Sequence, residues 1–233
     1  MKGKLYGLGV GPGDPGLLTL KAKEILDSAA VVAYPVKEAG EVSTALEIIR
    51  PSIDLTGKEI LEVVFRMAKD KEERLKCRAA AGEQIIKVLD EGKDIAMITL
   101  GDVSVYSTYM YVDRYVADRG YETGIVPGIP SFCSGAAAAG IPLMEGDESL
   151  VVVPAVRASG QLEDALSRFD NVVVMKAGGS IGLLKGIMEK YGRPLKCATV
   201  VSCVGMEDEY IGPLDVEREY SYFTTVIIKR EKE

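Results

Sequence analysis

Histidine is absent from all 233 residues. That removes the commonest general base near neutral pH, and every Ser-His or Cys-His nucleophile system with it. Cysteine is sparse: Cys77, Cys133, Cys197 and Cys203, with no C-x-x-C pair. Together these absences disfavour a structural zinc site, so no metal ligands are expected and the thiols should be reduced. Basic charge is in deficit, with 28 Lys and Arg against 35 Asp and Glu, a net charge of -7. A long basic surface for nucleic acid is therefore not expected. The basic residues between Arg66 and Arg78 are interleaved with acids and read as a solvated helix face. No apolar run approaches the eighteen or so residues of a membrane span. The first residues carry glycine turns where a signal peptide needs a long apolar core. The chain is expected to be cytoplasmic, with neither membrane nor nucleic acid as partner. Its chemistry must need little proton shuttling, or use carboxylate, tyrosine, lysine or a cofactor.

Apolar residues make up 47% of the chain, ample for a packed core in one large domain or two modest ones. The opening residues, MKGKLYGLGVGPGDPGLLTL, organise the rest of the chain. Residues 4–10 read as a strand that breaks into Gly11-Pro12-Gly13-Asp14-Pro15. The periodic apolar segment 17–30 predicts a helix, with Asp14 as its N-cap and Pro15 at its first position. Gly11, Gly13 and Gly16 formally satisfy G-x-G-x-x-G. The context argues against a dinucleotide fold. Asp14 would oppose a pyrophosphate at the helix N-terminus, and the second strand ends Val31-Val32-Ala33-Tyr34-Pro35 with no acid for a ribose.

Strand and helix then alternate. The capping-box spacing of Thr44 and Glu47 opens a helix that Pro51 ends. A strand at 59–65 precedes a long amphipathic helix at 70–90, with Leu75, Ala79, Ile85, Ile86 and Leu89 on its apolar side. Residues 94–100 form a continuous apolar strand of the kind buried on both faces. A loop from Gly101, a helix at 109–119, a strand at 121–126 and a small-residue helix at 132–139 come next. This alternation predicts a parallel sheet. Further strands and helices run on from Ser149, and three strand-like runs close the chain at 195–202, 209–214 and 222–229. Such runs with short turns predict antiparallel pairing. The expected class is α/β in two domains, 1–126 with a mostly parallel sheet and 127–233 with a mixed or antiparallel one.

Small-residue loops sit just after predicted strands at 9–14, 101–106, 128–134, 177–180 and Gly205. Backbone groups bared by glycine can approach a ligand closely. Five such loops point to a shared cleft that reads a ligand through main-chain hydrogen bonds.

The segments GVGPGD (9–14), TLGD (99–102), VPGIPS (126–131), GIPL (140–143) and VVVMKAG (172–178) occur in an order that resembles the tetrapyrrole methylases. These are class III S-adenosylmethionine-dependent methyltransferases, and the likeness covers nearly the whole chain. VAYP (32–35), TLGDVSVYSTYM (99–110), GIPLMEGDE (140–148) and SYFTTVI (221–227) are most similar to members that methylate the C(20) meso carbon of precorrin-2 or cobalt-factor II. Val103 stands where relatives often carry proline, and Pro130 where many carry Ser or Thr. The resemblance implies S-adenosylmethionine in an interdomain cleft, a tetrapyrrole substrate and a homodimer. It implies cofactor contacts at Pro12, Gly101, Asp102, Val105, Ser131, Phe132, Lys176, Ala177, Gly205, Thr224 and Thr225. Lys176 is expected to contribute its main chain, with its side chain available to substrate acids. A methyl sulfonium is already activated, so a histidine-free site suffices. If a side chain takes a proton, Asp102 and then Tyr106 are the candidates, with a loop-shaping turn as the alternative for Asp102. Lys37, Arg66, Arg157 and Lys176 are candidate partners of a polycarboxylate substrate. Other acceptors in the family remain open, namely uroporphyrinogen, other precorrins, diphthine and ribosomal RNA, as does a non-catalytic nucleotide-binding module.

Overall fold

The computed structural model describes residues 1–66, 70–154 and 159–231. The chain forms two units, Met1–Pro130 and Ser131–Glu233. The division falls four residues beyond the strand that ends at Val126, so residues 127–130 stay with the first unit.

Unit 1 holds β1 (Leu5–Gly9), α1 (Leu20–Ser28), β2 (Val31–Val36), α2 (Thr44–Ile49), β3 (Glu59–Val64), α3 (Lys71–Asp90), β4 (Ile95–Thr99), α4 (Tyr109–Ala117) and β5 (Thr123–Val126). Its sheet has the order β3-β2-β4-β1-β5, every pairing parallel. Alternate residues of β1 to β4 feed two cores. Leu8, Val32 and Ile98 pack with Leu26 of α1 and Ile49 of α2. Val31, Ile95 and Met97 pack on the other face with Ile85 of α3 and Val112 of α4. All five residues of β4 are buried, as its unbroken apolar run predicts. From β1 the chain leads over one face toward β2, whereas from β4 it leads over the other face toward β5. In an open α/β sheet, neighbouring strands that part in this way leave a crevice at their carboxyl ends.

Three local expectations are corrected. Asp14 caps only a 3-10 turn, Pro15–Leu17, its Oδ1 accepting from the Gly16 amide at 2.7 Å. Leu18 then turns extended, and α1 starts at Leu20 with Thr19 as its N-cap. In α2 the cap is Ser43, whose hydroxyl accepts from the Leu46 amide, so Thr44, expected to be the cap, is instead the first residue of the helix. On α3, Leu75 is 53% exposed, because buried positions begin only at Ala81, where the helix meets the sheet.

Unit 2 holds α5 (Ser131–Ala138), β6 (Leu150–Val153), α6 (Ser159–Arg168), β7 (Asn171–Met175), α7 (Ile181–Lys190), β8 (Ala198–Ser202), β9 (Tyr210–Pro213) and β10 (Thr224–Lys229). The order is β6-β7-β10-β8-β9, with β6 and β7 parallel and the other pairings antiparallel. The closing run of strands thus pairs as expected, with β10 inserted between β7 and β8. Leu162, Leu184 and Met188 of α6 and α7 form its core with Val172, Val174, Val200 and Val226. On the other face α5 lies so close that a Cβ on Gly135 would stand 2.9 Å from Val201.

Arg193 is 3% exposed and donates to the carbonyls of Leu166, Phe169 and Asp170 at 3.2, 2.7 and 2.9 Å. It satisfies acceptors that the end of α6 leaves without an intrahelical donor.

Candidate active site

The carboxyl ends of β1, β4 and β5 converge in unit 1. Gly11 and Gly101 exchange two backbone hydrogen bonds, of 3.2 and 2.8 Å, tying the loop after β1 to the loop after β4. Gly128, after β5, closes on both. A Cβ on Gly9 would stand 2.5 Å from the Gly128 nitrogen, and one on Gly128 would overlap the Gly101 carbonyl oxygen. Backbone packing this dense requires the missing side chains.

Asp102 locks the arrangement. It is only 7% exposed. Its Oδ2 accepts from the Gly128 amide at 2.8 Å, while Oδ1 accepts from the Ser104 amide at 2.8 Å and from the Ser104 hydroxyl. One carboxylate therefore shapes its own loop and clips it to the loop after β5. Val103 is wholly buried in the cluster that holds Met97 and Tyr109 and roots the loop in the core. Thr99 and Ser107 bond side chain to side chain at 3.0 Å, closing the base of the same loop. Beyond the clip the backbone turns left-handed at Tyr106, φ 51°, a conformation few non-glycine residues adopt. Tyr106 is half exposed and Val105 partly exposed, whereas Pro12 and Gly101 are buried. Beneath the loop, the Tyr109 ring fills the space a Gly7 side chain would occupy. Its hydroxyl lies 3.2 Å from Asp113 Oδ1 and from the Gly124 carbonyl, and burial pushes the phenol far above its ordinary range.

Lys37 and Arg66 come after β2 and β3 at this same end of the sheet. Val36 pairs with Val64, and the Phe65 amide continues the ladder to the Val36 carbonyl at 2.7 Å. Both cations are exposed. Arg157 lies outside the described residues.

In unit 2 the register gathers the remaining candidates except Ser131 and Phe132 at one end of the sheet. Thr225 pairs with Met175 and Thr224 with Ser202, so the ends of β7 and β8 flank the start of β10. Lys176 and Cys203, each just past its strand, are left-handed at φ 57° and 53°. Ala177 donates to the Thr224 carbonyl at 2.8 Å and Cys203 to the Phe223 carbonyl at 3.0 Å. Thr224 is wholly buried, with its hydroxyl 2.9 Å from Ser202 Oγ and donating to the Ser221 carbonyl at 2.6 Å. Gly178 touches the residue 220–221 backbone so closely that a Cβ there would stand 2.6 Å from the Tyr220 carbonyl oxygen. Glu209 accepts from the Gly205 amide at 2.7 Å, so Gly205 has its carbonyl rather than its N–H to offer a ligand. Ala177 and Thr225 are buried, Lys176 is half-buried and Gly205 exposed. Ser131 and Phe132 form the first turn of α5 and are partly exposed.

Ser104 and Gly128 lie in the loops that the sequence marked at 101–106 and 128–134, without being named there as contacts, and Glu209 lies outside the marked loops. Gly128 carried a signal in its Pro-Gly pair after a strand, whereas the Glu209 contact is visible only in the fold. The polar set of each unit's loops, taken by itself, is dominated by backbone left outside the strand ladders, with one shared carboxylate in unit 1 and no metal-ligand group among the described residues. It fits a ligand read through main-chain atoms, as S-adenosylmethionine is expected to be.

The model of the Tetrapyrrole (Corrin/Porphyrin) Methylases matches residues 4–217. A "Probable cobalt-precorrin-2 C(20)-methyltransferase" of Methanocaldococcus jannaschii is 40% identical over 238 residues, 98% of this chain and 97% of its own length. The "Cobalt-precorrin-2 C(20)-methyltransferase" of Salmonella typhimurium is 30% identical over 239 residues, 100% of this chain and 99% of its own length. Among solved structures, uroporphyrin-III C-methyl transferase from Thermus thermophilus, complexed with S-adenosylhomocysteine, superposes with a TM-score of 0.72 at 22% identity, covering 97% of both chains.

Proposed function

The chain belongs to the tetrapyrrole methylases, and from that premise we propose that it methylates C(20) of precorrin-2 or cobalt-precorrin-2 in cobalamin biosynthesis. The observation that carries this reading is the end-to-end likeness to two C(20)-methyltransferases of that pathway. S-adenosylmethionine, when bound, supplies a methyl group activated on sulfonium sulfur. The protein's share is alignment of the meso carbon with that methyl, and orientation alone can supply on the order of 7–11 kcal/mol in favourable cases. No strong base is needed, which suits a chain without histidine.

For the cofactor we assign Pro12, Gly101, Asp102 and Val105 in unit 1, and Ser131, Phe132, Lys176, Ala177, Gly205, Thr224 and Thr225 in unit 2. The buried members, Pro12, Asp102, Ala177 and Thr224 among them, shape the turns that present backbone groups. Asp102 acts by holding its loop, and Tyr106 relays to solvent the proton lost from the meso carbon. We assign the protein to the cytoplasm as a homodimer.

Asp102→Ala is expected to weaken S-adenosylhomocysteine binding by about tenfold or more, because a charge-assisted hydrogen bond to backbone is lost. Titration calorimetry checks it. Unchanged affinity with a lower kcat would instead make the carboxylate a proton acceptor. Tyr106→Phe is expected to lower kcat and leave that affinity unchanged. The activity itself is tested by anaerobic turnover of both substrates, with products weighed by mass spectrometry. One added methyl on either supports the proposal. No methyl on either, with the cofactor bound, would move the acceptor elsewhere in the family.

A further inference from the structure

Lys176 holds a left-handed backbone, φ 57°, where glycine would sit without strain. For an L-residue with a side chain that conformation costs roughly 1 kcal/mol or more, and such strain collects at functional sites. Its ammonium has no carboxylate partner among the described residues, whereas Lys190, Lys196 and Lys229 of the same unit each pair with a glutamate. Lys176 instead lies 5.5 Å from the centroid of the Tyr222 ring. Tyr222 packs edge-on against Phe223, with centroids 5.5 Å apart and planes at 77°. The two rings are 55% and 37% exposed. Close packing of Gly178 on the residue 220–221 backbone fixes the distance between the two loops that carry these groups.

We propose that Lys176, Tyr222 and Phe223 form a substrate-recognition corner in which the ammonium pairs with a peripheral carboxylate of the macrocycle and the ring pair supports its apolar edge. This rests on the tetrapyrrole reading above. A chain of net charge -7 that binds a polycarboxylate needs a cation not already neutralised by its own acids, and Lys176 meets that need. Aromatic faces beside a cation suit a flat, partly apolar, acid-fringed ligand.

The test compares Lys176→Gln, Lys176→Arg and Lys176→Gly with the unaltered chain in anaerobic methylation of precorrin-2 and cobalt-precorrin-2. Lys176→Gln is expected to raise KM for the tetrapyrrole about tenfold, the weight of one charge-assisted contact. S-adenosylhomocysteine affinity should stay within about twofold, because the proposed cofactor contact there is main-chain. Lys176→Arg restores most of the lost affinity. Lys176→Gly relieves the backbone, raises the thermal midpoint and still raises KM, which a purely structural lysine would not do. In a second arm, the octacarboxylate uroporphyrin and its methyl ester are bound in place of substrate. Lys176→Gln should weaken the acid and leave the ester unchanged, whereas Tyr222→Ala should weaken both. Normal turnover with an unchanged KM in Lys176→Gln would overturn the proposal. So would a selective loss of S-adenosylhomocysteine binding, which would return the side chain to the cofactor. An unaltered chain that binds S-adenosylhomocysteine and methylates neither substrate would instead remove the tetrapyrrole reading on which the corner rests.

Discussion

Gly128→Ala abolishes cofactor binding and destabilises unit 1. The added methyl would overlap the Gly101 carbonyl oxygen and stand 2.7 Å from the Gly9 Cα. Both obstacles are backbone, so no side chain can swing aside. The loops after β1, β4 and β5 must move apart, and the 2.8 Å bond from the Gly128 amide to Asp102 breaks as they do. Overpacking typically costs 1–3 kcal/mol, and a backbone obstacle puts this change at roughly 3 kcal/mol or more. Calorimetry with S-adenosylhomocysteine and thermal unfolding check the two effects. Ser104→Ala removes only a hydroxyl from the same carboxylate and is the mild control. A Gly128→Ala protein that binds S-adenosylhomocysteine normally would show that this glycine contact does not shape the cofactor site.

Arg193→Met separates stability from function. The substitution keeps much of the packed stem and deletes the guanidinium that serves the carbonyls of Leu166, Phe169 and Asp170. Burial lowers the Arg193 pKa from its ordinary value, so the charge itself is held at some cost. A solvent-open depression of about 380 Å³, lined in part by Leu166, Tyr191, Arg193 and Arg230, lets water reach some of the orphaned acceptors. A loss near 3 kcal/mol is therefore expected, rather than the full sum of three unsatisfied groups. The thermal midpoint should fall while S-adenosylhomocysteine affinity in the folded protein stays within about twofold. Unchanged stability would mean that solvent replaces the arginine at no cost.

Both predictions rest on contacts between residues distant in sequence, and these marked the limit of what the sequence disclosed. The parallel sheet was legible because β4 is continuously apolar and helices alternate with strands. The antiparallel close of the chain was legible from three strand-like runs with short turns. The insertion of β10 between β7 and β8 was not, because register arises from cross-strand packing rather than from local pattern. Asp14 was legible as a cap, but the length of what it capped was not. Pro15 and Gly16 favour a single tight turn, and Thr19 supplies a second cap that outcompetes continuation. Leu75 looked like core because its spacing fits α3, yet the helix outruns the sheet beneath it.

The candidate site divides the same way. The loops at 9–14, 101–106, 128–134 and 177–180 announced themselves by composition after strands. The clip from Asp102 to Gly128 spans twenty-six positions and has no local signature. Lys176 and Tyr222 meet because Met175 pairs with Thr225, a register that neither segment encodes alone. The left-handed turns at Tyr106, Lys176 and Cys203 were equally hidden, since nothing in a tyrosine, lysine or cysteine asks for that conformation.

The proposed reaction carries one methyl group to one meso carbon. It is tested most directly with carbon-13 methyl-labelled S-adenosylmethionine, reduced tetrapyrrole and the unaltered protein under anaerobic conditions, with NMR of the product as the readout. The expected product, formed from precorrin-2 or from its cobalt complex, shows a single enriched methyl resonance whose protons correlate with C(20). Label on a peripheral pyrrole carbon, or on no tetrapyrrole at all, would contradict it.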